Sequence, residues 1–197
     1  MQIRFTYYKP QVLVPLIVIL WACSSWLLSL TNNELIRGVA PTTIVMALLS
    51  IYDRWLWKLP LLRLMNTIPN LNGVYHGNIE YNFNGRDDTK ACTLRIVQTC
   101  STIKVTATFN KDAENETQSV SSEAFIVTDS SGEHQLHFYY RNKGSCKAGD
   151  TLEQHDGINI MDIIICEGMV KLDGYYFTNR SPQTKGCMKV VKDSKGV

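Results

Sequence analysis

Residues 12–30 are almost wholly apolar and carry no charge, and a second uncharged run follows at 39–52. A helix rises about 1.5 Å per residue and needs roughly 20 apolar residues to cross about 30 Å of hydrocarbon. The first run has that length. The second reaches it when extended through Arg54 and the Trp55/Trp57 pair to residue 59, because arginine snorkels and indoles settle at the headgroup level. Residues 31–38 between them form a polar turn with Asn32, Asn33, Glu34 and Arg37. The pattern predicts a transmembrane helical hairpin over residues 1–60, with spans at 12–30 and 39–59. Pro41 falls in the first turn of the second helix, where a missing N–H costs nothing, and Pro15 lies near the start of the first.

Arg4 and Lys9 precede the hairpin, and Arg54, Lys58 and Arg63 follow it, so the positive-inside rule places both ends in the cytoplasm. The expectation is a multi-pass protein of the bacterial inner membrane with cytoplasmic N- and C-termini. Two alternatives stay open. A signal peptide cleaved near Ala22 and Ser24 would have a shorter apolar core, and a buried helical hairpin of a soluble protein would show the same apolar density. Ser24, Ser25, Ser29, Thr42, Thr43 and Ser50 offer hydroxyls for bonds between helices.

After a juxtamembrane linker at 61–70 the period changes from helical to two. Short β-rich runs separated by Gly, Asn, Asp and Ser clusters fill residues 71–197. Eight strands are predicted, at 73–83, 91–99, 103–109, 119–127, 135–142, 158–166, 170–179 and 186–192, with one long loop at 144–156. Sequential antiparallel pairing is the simplest topology. The expected fold is a two-helix hairpin plus an all-β domain, an eight-stranded antiparallel up-and-down barrel of minimal lipocalin-like form.

In the first strand Leu71, Gly73, Tyr75, Gly77, Ile79, Tyr81 and Phe83 share one face, opposite Asn72, His76, Asn78, Glu80 and Asn82. Leu94, Ile96 and Gln98 share a face in the second strand, and Leu136, Phe138, Tyr140 and Asn142 in the fifth. Leu172, Gly174, Tyr176, Thr178 and Arg180 do so in the seventh, and Gly186, Met188 and Val190 in the eighth. Four of these inward series begin apolar and end polar: at Tyr81, at Gln98, at Tyr140 with Asn142, and at Thr178 with Arg180. Buried polar groups are costly unless paired. A barrel with one polar half therefore fits a ligand in its mouth, although strand ends also carry polar residues simply because they reach water.

Charge narrows the partners. The net charge is +2, but 14 basic and 16 acidic residues lie beyond residue 63, too few cations for a duplex nucleic-acid binder. Of the six cysteines, Cys23 lies in the first span, and Cys92, Cys100, Cys146, Cys166 and Cys187 form no C-x-x-C pair. Free thiols are expected, and no metal site. No catalytic motif occurs among His76, His134, His137 and His155, and Asp87/Asp88 and His155/Asp156 fall in predicted turns, so the chain reads as a non-enzyme without a cofactor.

Several segments carry a resemblance: L-R-I-V-Q-T at 94–99, I-K-V-T at 103–106, S-V-S-S at 119–122, L-H-F-Y-Y-R-N at 136–142, and K-L-D-G-Y-Y-F-T-N-R at 171–180 with K-G-C-M-K-V at 185–190. With the hairpin before them, they resemble the SMODS-associated effectors with two transmembrane helices and a β-strand-rich domain. Those are the membrane effectors of CBASS antiphage defence, similar to the CD-NTase-associated effector with a lipocalin-like barrel. The resemblance implies that the barrel binds a cyclic dinucleotide made by a partner nucleotidyltransferase. It also implies that the bound protein self-associates and disrupts the inner membrane, leading to cell death.

Such a ligand presents two bases, two phosphodiesters and ribose hydroxyls. It calls for aromatic faces, a cation and amide or hydroxyl groups. Tyr75, Tyr81, Tyr140 and Tyr176 are the candidate faces, Arg180 the phosphate ligand, and Gln98, Asn142 and Thr178 the edge contacts. Each has a structural alternative: inward tyrosines fill cores, Arg180 can cap a rim and Gln98 can satisfy a turn. Two other functions remain open, a membrane-anchored barrel for an apolar small molecule and a ligand-free scaffold at the lipid surface.

Overall fold

The computed structural model describes residues 5–83, 85–110, 116–142, 144, 154–181 and 183–193, and it divides into two compact units. One comprises Met1–Asn70 with Thr99–Thr102, the other Leu71–Gln98 with Ile103–Val197.

In the first unit, α1 (Pro10–Ser29) begins with Pro10 in its first turn and contains Pro15 in its interior, not at its start. Its 20 residues span about 30 Å, and Val14, Val18, Ile19, Trp26 and Leu27 project outward. This is the one helix among the described residues that is long and apolar enough to cross a membrane. A short α2 (Glu34–Arg37) interrupts the expected polar turn. α3 (Pro41–Arg54) then begins on Pro41 as expected.

The second run, expected as a span over 39–59, is not one continuous helix. α3 has 14 residues, about 21 Å, and beyond Arg54 the chain passes into a 3-10 turn, Leu56–Lys58. Packed polar groups end the helix. Asp53, in its last turn, is fully buried and accepts the Tyr8 hydroxyl at 3.1 Å, while its backbone carbonyl accepts the Cys100 N–H at 2.8 Å. Trp57, also fully buried, takes its place in a hydrogen-bonded knot. Asn66 Nδ2 donates to the Trp57 carbonyl at 3.4 Å and to the Tyr52 hydroxyl at 3.2 Å, and that hydroxyl donates to the Leu62 carbonyl. The Asp53 side chain is thus packed inside this unit, with Oδ1 on the Tyr8 hydroxyl. Its desolvated partner Tyr8 is pushed well above the usual phenol range, by burial first and by the neighbouring Cys100 and Asp53 after it.

The expected linker is also ordered. Residues 62–65 form a 3-10 turn, Tyr8 and Asn66 make an antiparallel bridge, Lys9 N–H donates to the Met65 carbonyl at 2.9 Å and Thr67 N–H to the Tyr7 carbonyl at 3.1 Å. The chain therefore enters and leaves this unit side by side. Ser25, Ser29 and Ser50 turn their hydroxyls onto carbonyls of their own helices, Trp21, Trp26 and Met46 respectively.

The second unit is a closed barrel in the expected order, β1 to β8, with β1 antiparallel to β8. Its strands are β1 (Gly73–Phe83), β2 (Arg86–Gln98), β3 (Ile103–Phe109), β4 (Thr117–Thr128), β5 (His134–Asn142), β6 (His155–Cys166), β7 (Met169–Thr178) and β8 (Lys185–Lys192). β2 starts five residues earlier than the pattern predicts, and β6 three. Asp87/Asp88 and His155/Asp156 thus lie in strands rather than turns, because their neighbours supply the ladder: Tyr81 pairs with Asp88, and Asn142 with His155. The predicted loop at 144–156 and Cys146 fall largely outside the described residues.

Period-two alternation sets the interior. Tyr75, Leu94, Leu136, Phe138, Met161, Leu172, Met188 and Val190 are essentially inaccessible, each fully buried Leu, Phe or Met contributing about 1.5–3 kcal/mol. One end is closed by the tight β2–β3, β4–β5 and β6–β7 turns. The other end carries the β1–β2, β3–β4, β5–β6 and β7–β8 connections.

Candidate nucleotide-binding pocket

The inward tails of the strands converge at this second end. They line an open cavity of about 90 Å³, with Tyr81, Lys90, Ser119, Tyr140, Asn142, His155, Tyr176, Thr178, Arg180 and Thr184 joined by Ile79, Phe109 and Thr117. Six of the eight residues expected from alternation meet here: Tyr81, Tyr140, Asn142, Tyr176, Thr178 and Arg180.

The other two do not. Tyr75 lies six residues before Tyr81 on β1, about 20 Å along the strand. It is fully buried and donates its hydroxyl to the Leu71 carbonyl at 2.9 Å. Gln98 closes the same far end: its Oε1 accepts the Leu71 N–H at 2.7 Å, and its backbone exchanges two bonds with the Asn72 side chain. Both hold the end of the barrel away from the cavity.

Within the pocket the polar groups are organised. Asn142 Nδ2 donates to Ser119 Oγ at 2.9 Å, while its Oδ1 accepts the Gly144 N–H. Thr178 Oγ1 donates to the Thr184 carbonyl at 3.3 Å and accepts the Thr184 N–H at 3.2 Å, which folds the β7–β8 connection over the mouth and seats Arg180 there. Burial pushes the Tyr140 and Tyr176 hydroxyls up, and the Arg180 guanidinium opposes the shift at both. Arg180 thus acts on both rings. Tyr81 donates its hydroxyl to Asp88 Oδ2 at 2.5 Å, and Lys90 Nζ stands 5.1 Å from its ring centre.

Two glycines make space for these rings. A methyl group on Gly157, across β6 from Tyr140, would collide with the Tyr140 ring. On Gly186 it would collide with the Glu80 carbonyl and come within 2.9 Å of the Tyr176 ring. The bare backbone lets both rings lie back against the wall.

Sequence reasoning missed Lys90, Ser119, His155 and Thr184. For Lys90 the signal was present: stepping back by two from Leu94 through Cys92 reaches it, but the acidic pair 87–88 made the strand seem to begin later.

Among the described residues the lining includes three groups able to carry positive charge, Lys90, Arg180 and His155, with the Asp88 carboxylate beside Lys90 on the Tyr81 hydroxyl. A wider groove of about 840 Å³ shares Tyr81 and Tyr176 but runs on to the outer face, where Glu80, Asp87 and Asp88 face Lys185. Among the described residues no group of His, Cys, Asp or Glu is arranged to hold a metal.

A family model described as the Cap15 cyclic dinucleotide receptor domain matches residues 66–192, well over half of the chain. The chain belongs to the Cap15 cyclic dinucleotide receptor domain family. The match begins at Asn66, in the segment bonded to Tyr52 and Trp57, and ends with β8, so it takes in the whole Cap15 barrel. No curated protein matches the chain. Membership agrees with the resemblance to CBASS effectors, and with a cavity that offers stacking faces and cations in one place.

Proposed function

We propose that the barrel is the sensor of a CBASS effector and binds a cyclic dinucleotide from a partner nucleotidyltransferase across its polar mouth. The observation that carries this reading is the single cavity lined by Tyr81, Tyr140, Tyr176 and Arg180. Aromatic faces accept bases of any kind, a guanidinium grips a phosphodiester with two bonds, and Asn142 and Thr178 serve base edges or ribose hydroxyls. Ligand pockets usually measure about 300–1,000 Å³. A cavity of about 90 Å³ holds only part of a dinucleotide, so the remainder lies in the open mouth and the side chains at the rim move apart on binding. The chain acts by binding and has no catalytic step of its own.

Phe138, Met161 and Leu172 are buried in the apolar half of the barrel, which favours the polar mouth over an apolar guest. Membrane attachment rests on α1. The pairing of residues 7–9 with 65–67 and the distribution of Arg and Lys support a reading in which the chain returns to the side it started from and both ends of the helical unit are cytoplasmic. Ligand binding then brings copies together, and their gathered helices disturb the bilayer and kill the cell.

Thermal unfolding of the full chain in detergent tests the sensor role, with 3′,3′ cyclic dinucleotides of all base combinations set against fatty acids. A ligand selective for the folded state at 100 times its Kd adds about 2.7 kcal/mol of stability. No shift with any cyclic dinucleotide defeats the reading. Dye release from vesicles carrying the full chain tests the membrane step separately.

A further inference from the structure

Residues 54–64 read R-W-L-W-K-L-P-L-L-R-L, bulky apolar side chains set among three cations with no acidic residue. The segment folds as two 3-10 turns, Leu56–Lys58 and Leu62–Met65, on either side of Pro60. Backbone bonds close the turns: Leu59 N–H donates to the Leu56 carbonyl, and the Leu62 and Arg63 N–H groups both donate to the Leu59 carbonyl, each at 3.0 Å. Trp57 is turned into the knot with Tyr52 and Asn66, and its neighbours are left outside. Leu61 is 84% exposed and Leu64 69%, more than Leu27 in α1 at 65%. Trp55 and Leu59 are exposed as well, with the Arg54 guanidinium 5.1 Å from the Trp55 ring centre. The Tyr52 hydroxyl donates to the Leu62 carbonyl and Asn66 to the Trp57 carbonyl, so the backbone that presents these leucines is fixed from inside.

Hydrogen bonds inside the same unit set the level of this segment along α1. Lys9, the residue before Pro10, donates its N–H to the Met65 carbonyl at 2.9 Å, and Tyr8 forms its bridge with Asn66. α1 has 20 residues, about 30 Å, which matches the depth of a bilayer's hydrocarbon. A segment bonded to the residue just before it therefore stands where hydrocarbon gives way to headgroups. At that level an indole is at home, leucine reaches the first acyl carbons, and arginine and lysine meet phosphates. A single exposed leucine is ordinary on any protein surface. Four large apolar groups and three cations in one short segment, at the end of a span, make a surface that lies on lipid. We infer that residues 54–64 form an elbow bound to the bilayer surface, with Trp55, Leu59, Leu61 and Leu64 at the boundary of headgroups and acyl chains. Arg54, Lys58 and Arg63 gather anionic headgroups around it. The inference rests on the membrane attachment through α1 read above, and it adds a lipid contact that does not cross the bilayer.

The test is fluorescence quenching on the full chain reconstituted into vesicles of phosphatidylcholine and phosphatidylglycerol. Cys23, Cys146, Cys166 and Cys187 are replaced by alanine, and Val18→Cys, Leu61→Cys, Leu64→Cys or Ser122→Cys carries an NBD label one at a time. All four labelled positions are exposed, so the packed knot is untouched. Spin labels are placed near the headgroup end or the methyl end of the lipid acyl chain. Expected is quenching of the Val18 label mainly by the deep spin label, of the Leu61 and Leu64 labels mainly by the shallow one, and of the Ser122 label by neither. Shallow-labelled phosphatidylglycerol quenches the Leu64 label roughly twofold or more better than phosphatidylcholine with the same spin label, and Lys58→Gln/Arg63→Gln makes the two lipids equal. Leu61 and Leu64 labels that no lipid quenches, beside a quenched Val18 label, overturn the inference. An emission blue-shifted there without quenching overturns it too, because protein then covers the elbow, this chain or a second copy. So does stronger quenching of both by the deep spin label, which makes the segment part of a span, or equal quenching by the two lipids before the cations are removed. A Val18 label that no lipid quenches is a different result, and it removes the membrane attachment together with this inference.

Discussion

Replacing Gly157 by alanine tests whether the position of the Tyr140 ring, and not merely its presence, makes the pocket. The added methyl would meet three Tyr140 ring and hydroxyl atoms, none farther than 2.8 Å, where ordinary contact begins at 3.4 Å. The ring is only 7% exposed and Phe138 lies 6.2 Å away between centroids, so its one open direction is into the cavity. Overpacking of this kind costs about 1–3 kcal/mol, and the smaller unfolded-state entropy of alanine returns about 0.4–1 kcal/mol. Gly157 has no positive φ, so the new residue adds no backbone strain. The net loss is about 1–2 kcal/mol, which for a domain of this size lowers Tm by roughly 3–8 °C. Nucleotide affinity falls further, since a ring displaced by about 1 Å fills much of a cavity of about 90 Å³. Scanning calorimetry and nucleotide titration on the full chain read both quantities. Adding Tyr140→Leu to Gly157→Ala removes the collision and recovers stability but not binding. An unchanged Tm together with unchanged affinity in the single variant would refute the seating argument.

Gln98→Ala strips the Leu71 N–H of its acceptor at the closed end, costing about 1–3 kcal/mol in denaturant unfolding while leaving nucleotide affinity at the wild-type value, because the pocket lies at the other end. Burial holds the His134 and His137 imidazoles below their ordinary value, Asp129 partly opposing it at His134. Their contribution to stability is complete above the unfolded value of 6.5 and is lost as pH falls through the lower folded values, so Tm decreases from pH 7.5 to pH 5, and less in a His134→Gln/His137→Gln variant. Burial pushes the Cys92 thiol up to about 12, so iodoacetamide at pH 8 labels the exposed Cys166 and Cys187 in the folded protein and reaches Cys92 only after unfolding, as mass spectrometry will show.

Much of the barrel was legible in the chain. Strands such as β1 and β3 follow from strict alternation, because a residue facing the core cannot exchange places with its neighbour without exposing every apolar group on that face. The same alternation placed Tyr81, Tyr140, Asn142, Tyr176, Thr178 and Arg180 on the inside. It could not separate Tyr75 from Tyr81, which share a residue type and a face. Their roles diverge because one lies six residues nearer the closed end, where the Leu71 carbonyl is waiting for its hydroxyl.

Residue pattern alone thus determined the number, order and inward faces of the strands, and one helix long enough to cross a bilayer. These depend on local period and on length, which no distant contact alters. Tertiary structure decided where the second helix stops, since the enclosure of Asp53 by Tyr8 and the Cys100 backbone joins residues far apart in the chain. It also decided which inward residues form a site. Closure of the ring of strands brings Lys90 and Arg180, ninety positions apart, to one cavity.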